Sequence, residues 1–116
     1  MSSTRTLNFV IRVLNPQTTV IDLEGGIDLR NSHGLRTTLF EKLSTTSRLA
    51  LNMSGIGYID SSGIATLVET LKKAQGLQKD FVLFGLGQRV YDVLKLTNLL
   101  GVFQVFDTEE HALQGK

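Results

Sequence analysis

The sequence predicts one α/β domain whose sheet is mixed, with about five strands and about four helices. Three observations predict it. Two short β-type runs joined by a turn open the chain. Beyond residue 28, helical periodicities alternate with short apolar runs, the pattern of crossover units and a mainly parallel sheet. The length of 116 residues, 41% of them hydrophobic and 20% charged, suits one core and is too short for two, so residues 1–116 are read as a single domain.

In residues 7–14, Leu7, Phe9, Ile11 and Val13 fall on one face of a strand. Asn15-Pro16-Gln17 breaks it, and residues 18–23 resume a β pattern that ends at Glu24-Gly25-Gly26. Together they read as an antiparallel hairpin. Residues 28–43 turn helical, with Leu35, Leu39 and Leu43 repeating on one side. Leu49, Leu51 and Met53 follow as a short strand.

The clearest helix places Ile64, Leu67, Val68 and Leu71 on one apolar stripe, with Glu69 and Lys73 as an outward ion pair and Gly76 at the expected C-terminal cap. Residues 81–84, Phe-Val-Leu-Phe, read as a buried parallel strand. Residues 88–96 form a helix through Val90, Val93 and Leu94, and residues 102–106 form the last strand. Asp107 and Glu110 have the spacing of a capping box that opens a final helix carrying Ala112 and Leu113.

Composition excludes several functions. The formal net charge is +1, from 12 Lys and Arg against 11 Asp and Glu, with the basic residues scattered. That balance gives no pull toward nucleic acid or anionic membrane. There are no cysteines, so disulfides, thiolate catalysis and cysteine-based zinc sites are excluded. No stretch has the ~18 apolar residues needed to span a bilayer. A cytoplasmic protein without membrane insertion is expected.

In α/β sheets, sites favour the loops at the carboxyl ends of parallel strands. Asp60-Ser61-Ser62-Gly63 is such a loop, and it opens the best helix. A phosphate on a serine there would meet the N–H groups and partial positive charge of a helix N-terminus. It would also add nearly two negative charges beside Asp60. Spacing alone leaves open that Asp60, Ser61 or Ser62 merely caps the helix. A hydrolase would pair Ser61 with Asp60 and His33 or His111, but the G-x-S-x-G elbow is absent. Gly55-x-Gly57 and Gly85-x-Gly87 do not extend to a nucleotide-binding motif and read as turns. No cofactor is expected.

The run Leu51-Asn52-Met53-Ser54-Gly55-Ile56-Gly57-Tyr58-Ile59-Asp60-Ser61-Ser62-Gly63-Ile64 closely resembles the signature of the STAS-domain anti-sigma factor antagonists. Leu23-Glu24-Gly25-Gly26-Ile27-Asp28, the loop from Phe84 to Val90, and the ending from Leu96 to Leu113 resemble further pieces of that family, in order. Two positions depart from it: Ala65 stands where a second glycine is usual, and Gly34 lies early in the first helix, which loosens it by about 1 kcal/mol.

The resemblance implies a STAS-like fold and a non-enzymatic switch. Ser61 would accept phosphate from a partner-switching serine kinase that is also the anti-sigma factor. Asp60, Ser62, Gly63 and Asp28 would serve kinase and partner recognition. The unphosphorylated form would sequester the anti-sigma factor and so regulate transcription, and a serine phosphatase would reset it. The alternative is a STAS accessory or scaffold subunit of another signalling or lipid-transport assembly. Exposed apolar surface would also allow a homodimer.

Overall fold

A computed structural model describes residues 6–115. The elements run β1 (Leu7–Asn15), β2 (Thr18–Ile27), α1 (Ser32–Thr45), β3 (Arg48–Ile59), α2 (Ser61–Gly76), β4 (Asp80–Phe84), α3 (Gln88–Leu96), a 3-10 turn at Leu100–Val102, β5 (Gln104–Phe106) and α4 (Glu109–Gln114). The strands lie in the order β1-β2-β3-β4-β5. β1 is antiparallel to β2, and every other pairing is parallel. The expected mixed sheet of five strands with four helices is the observed one.

Alternation along the strands divides the core. Ile21, Leu23, Leu49, Leu51, Met53, Phe81 and Leu83 point to the face covered by α1, α2 and α3. Val20, Ala50, Val82 and Phe84 point to the other face, where Ala112 of α4 packs. Leu35, Leu39 and Leu43 of α1 are no more than 1% exposed, so the repeat at spacing four is the buried stripe. On the thinly covered second face, Arg12 bridges Asp22 at 2.6 Å and Glu109 at 2.7 Å, and Asn52 donates to Asp22 at 2.8 Å. That network ties β1, β2, β3 and the start of α4 together.

Several boundaries differ from the sequence reading. α1 begins at Ser32 rather than at residue 28, because the N–H groups of Asn31 and Ser32 both donate to the Asp28 carbonyl and form a turn first. β3 extends six residues past Met53, to Ile59. Its glycines do not stop the strand: a Cβ at Gly55 would sit 2.5 Å from the Leu23 carbonyl oxygen, so glycine lets β3 stay against a bulged β2. Along β1 only Leu7 and Ile11 pack on the core, whereas Phe9 and Val13 are exposed, as an edge strand allows.

Gly76 is helical, and the left-handed residue after α2 is Gln78, with φ of 58°. Glu69 pairs not with Lys73 but with Arg36 of α1, at 3.0 Å, while the Lys73 ammonium lies 5.8 Å from the Phe40 ring centre. The neighbouring helix α1 offers both charges a partner. The last strand begins at Gln104, since residues 100–102 close a 3-10 turn. Thr108, not Asp107, caps α4, its hydroxyl accepting from the His111 N–H at 3.2 Å.

Candidate functional site

β2 and β3 end side by side, with Ile27 opposite Ile59. The Asp60 N–H continues the pairing by donating to the Ile27 carbonyl at 3.1 Å. This places Asp60 at the carboxyl edge of the sheet, in extended conformation, as the N-cap of α2. One oxygen of Asp60, Oδ1, accepts from the Ser62 N–H at 2.9 Å, the Ser62 hydroxyl at 2.6 Å and the Gly63 N–H at 3.2 Å. Two of the helix's orphan donors are thereby satisfied.

The carboxylate is held below its ordinary value of 3.8, chiefly by the Ser62 hydroxyl. Desolvation opposes this, and the N–H groups of Gly63, Ser62 and Leu29 add to it.

The two serines are not equivalent. Ser62 is half-buried and its hydroxyl is committed to Asp60. Ser61, the first residue of α2, is exposed, and its hydroxyl makes no hydrogen bond among the described residues. A hydroxyl in that position is open to solvent.

Gly63 has a steric explanation. A Cβ there would lie 2.7 Å from both Ile27 Cγ2 and Ile59 Cγ1, so only glycine lets the first turn of α2 sit down on the strand ends. Its neighbour Ala65 is exposed, where a methyl group is readily accommodated.

Asp28 stands one residue beyond Ile27 and is only 6% exposed. Its Oδ1 accepts from the Arg30 N–H at 3.0 Å and its Oδ2 from the Arg30 guanidinium at 3.2 Å. Asp28 thus shapes the turn into α1 from beneath, and Leu29 and Arg30 form its surface. Asn31 completes the turn: its side chain accepts from the Asp28 N–H at 3.0 Å and donates to the Gly26 carbonyl at 2.9 Å. The sequence pattern places Asn31 inside the helical stretch from residue 28. The signal for the turn is the Asp-x-x-Asn spacing of Asp28 and Asn31, in which either side chain can close a turn.

The histidines of the hydrolase alternative are kept apart. His33 lies on the exposed side of α1, and His111 is in α4, on the opposite sheet face. No set of three or more His, Cys, Asp or Glu able to hold a metal occurs among the described residues. Nor is any helix among them long and apolar enough to cross a membrane.

The family described as "STAS domain" matches residues 10–112. The chain is 28% identical over 61 residues to the anti-sigma-B factor antagonist of Listeria monocytogenes, an alignment covering 53% of this chain and 54% of that protein. An anti-sigma factor antagonist from Mycobacterium paratuberculosis superposes with a TM-score of 0.85 at 20% identity, covering 95% of this chain and 93% of that one. The anti-sigma factor antagonist SpoIIAA in its unphosphorylated form gives a TM-score of 0.79 at 20% identity, covering 93% and 95%. At that identity the two structures speak for the fold alone.

Proposed function

The chain belongs to the STAS domain family, and from that premise we propose that it is an anti-sigma factor antagonist working as a phosphorylation-controlled, non-enzymatic binding switch. Ser61 is the acceptor. Unphosphorylated, the protein sequesters an anti-sigma factor that is also a serine kinase, and so regulates transcription in the cytoplasm. Phosphorylated, it lets that partner go, and a serine phosphatase restores the binding form.

The observation that carries this reading is the exposed Ser61 hydroxyl at a helix N-terminus whose cap is supplied by Asp60 and Ser62. In the transfer, Ser61 Oγ bonds to the γ-phosphorus of ATP, the bond to ADP breaks, and the hydroxyl proton leaves to the kinase's base. The product carries nearly two negative charges. The N–H groups of Ser62 and Gly63 already serve Asp60, so the new phosphate meets a carboxylate rather than a vacant anion site. The fold is kept while the loop becomes more negative, and a partner matched to the neutral serine is repelled. The Listeria relative, named as an anti-sigma-B factor antagonist, supports the choice of pathway.

The test is a pull-down from the source cell with Ser61→Ala and Ser61→Asp baits. A serine kinase retained by the first and lost by the second is the expected outcome. Equal retention by both, with no modification of Ser61 by that kinase and ATP, would instead make the chain an unswitched scaffold subunit.

A further inference from the structure

The two edges of the sheet are finished differently. β5 is blunted by its length of three residues. β1 is nine residues long and has no neighbour on its outer side among the described residues. The devices that ordinarily protect such an edge are missing from it. It holds no proline, its register shift falls at its end, between Val13 and Asn15, and its only charged residue is Arg12. The Arg12 guanidinium is turned inward, onto Asp22 at 2.6 Å and Glu109 at 2.7 Å.

Apolar exposure is concentrated on the same strand. Phe9, Val10, Val13 and Leu14 are 38%, 61%, 68% and 43% exposed. Unpaired backbone groups lie beside them. The Gly26 N–H donates to the Thr6 carbonyl at 3.3 Å, and hydrogen-bonded pairs alternate along an antiparallel ladder. Asn8, Val10 and Arg12 therefore turn their backbone groups to β2, while Phe9, Ile11 and Val13 turn theirs to the open edge.

We propose that this edge pairs with β1 of a second copy of the chain, antiparallel and two-fold about Ile11, joining the two sheets into one. The strand is complementary to itself. About Ile11, Phe9 meets Val13 of the second copy and Val13 meets its Phe9, an aromatic and β-branched pair made twice by the symmetry. Charge agrees with a like partner. Arg12 falls opposite Val10 and is neutralised within its own protomer, so two copies bring no like charges together. The two-fold sends the Ser61 loops to opposite ends of the joined sheet, because each lies at the carboxyl ends of β2 and β3. Both loops stay open, and the inference stands apart from the reading of Ser61 as acceptor.

The test is sedimentation equilibrium of the full chain from about 1 to 200 μM, where a strand-edge pair of micromolar affinity is resolved. Wild type should move from monomer to dimer across that range. Val13→Lys sets a charge against Phe9 of the second copy, and Val13→Pro removes an outward N–H without touching a β1–β2 bond. Each should weaken association about tenfold or more. Leu96→Lys, at an exposed apolar position on α3, should dimerise as wild type does. The chain holds no cysteine, so a Phe9→Cys, Val13→Cys double variant reads the register. Under oxidation it should cross-link two copies far faster than Leu96→Cys does. Wild type that stays monomeric at the highest concentration, a dimer that Val13→Lys leaves within twofold of wild type, or cross-linking no faster than that of Leu96→Cys would each overturn the pairing.

Discussion

The Ser62 hydroxyl donates to Asp60 Oδ1 at 2.6 Å, and through that bond the second serine of the loop becomes part of the helix cap. Ser61, one residue earlier, stays outside the cap. Stability should follow this division. Ser62→Ala is expected to cost about 0.5–1.5 kcal/mol through the lost hydrogen bond. Asp60→Ala, which removes the cap itself, should cost about 0.5–2 kcal/mol. Ser61→Ala should change stability by less than about 0.5 kcal/mol, as an exposed residue does. Urea unfolding of the three variants checks the order.

Glycines in the two long helices should respond in opposite directions. A Cβ at Gly63 would press on Ile27 and Ile59, so Gly63→Ala should destabilise by about 1–3 kcal/mol. A Cβ at Gly34 in α1 meets nothing within 4 Å. Gly34→Ala should therefore stabilise by about 0.5–1 kcal/mol, through helix propensity alone. Thermal unfolding of both variants decides, and a stabilising Gly63→Ala would mean that α2 does not sit on the strand ends.

Acid should weaken the fold through two carboxylates. Asp22 is held below its ordinary value of 3.8 chiefly by its hydrogen bond from Arg12, against desolvation and with help from Asn52. Asp60 is likewise held below 3.8, chiefly by Ser62. Groups whose folded values are depressed contribute stability that is complete above the unfolded value, at roughly pH 4. That contribution is lost as pH falls through the lower folded values. The melting temperature of wild type should drop on acidification below roughly pH 4, and an Asp22→Asn, Asp60→Asn double variant should show a shallower drop.

Much of this architecture was legible because hydrophobic period and burial agree. Leu35, Leu39 and Leu43 recur on one side and are buried, and the apolar run from Phe81 to Phe84 is a central strand. Legibility failed where polar groups do the work of apolar ones. Thr66 and Thr70 of α2 are buried because their hydroxyls find carbonyls, Thr66 that of Ser32 and Thr70 that of Thr66, which no hydrophobic pattern reveals. The start of α1 was misplaced for the same reason, since a side-chain-locked turn comes before the helix.

At the site, the position of Ser61 could be read from the sequence. Its difference from Ser62 in hydrogen bonding needed side-chain geometry. The exposure of Leu29 could not be read, because leucine in a sequence looks like core.

The most direct test of the switch is site-resolved phosphorylation. Protein incubated with its purified cognate serine kinase and ATP is digested, and the peptide spanning residues 60–63 is sequenced by mass spectrometry. The account predicts one phosphate, on Ser61, absent from Ser61→Ala and retained in Ser62→Ala, with kinase binding lost as modification proceeds. Phosphate on Ser62, or full modification of Ser61 with binding unchanged, would contradict it.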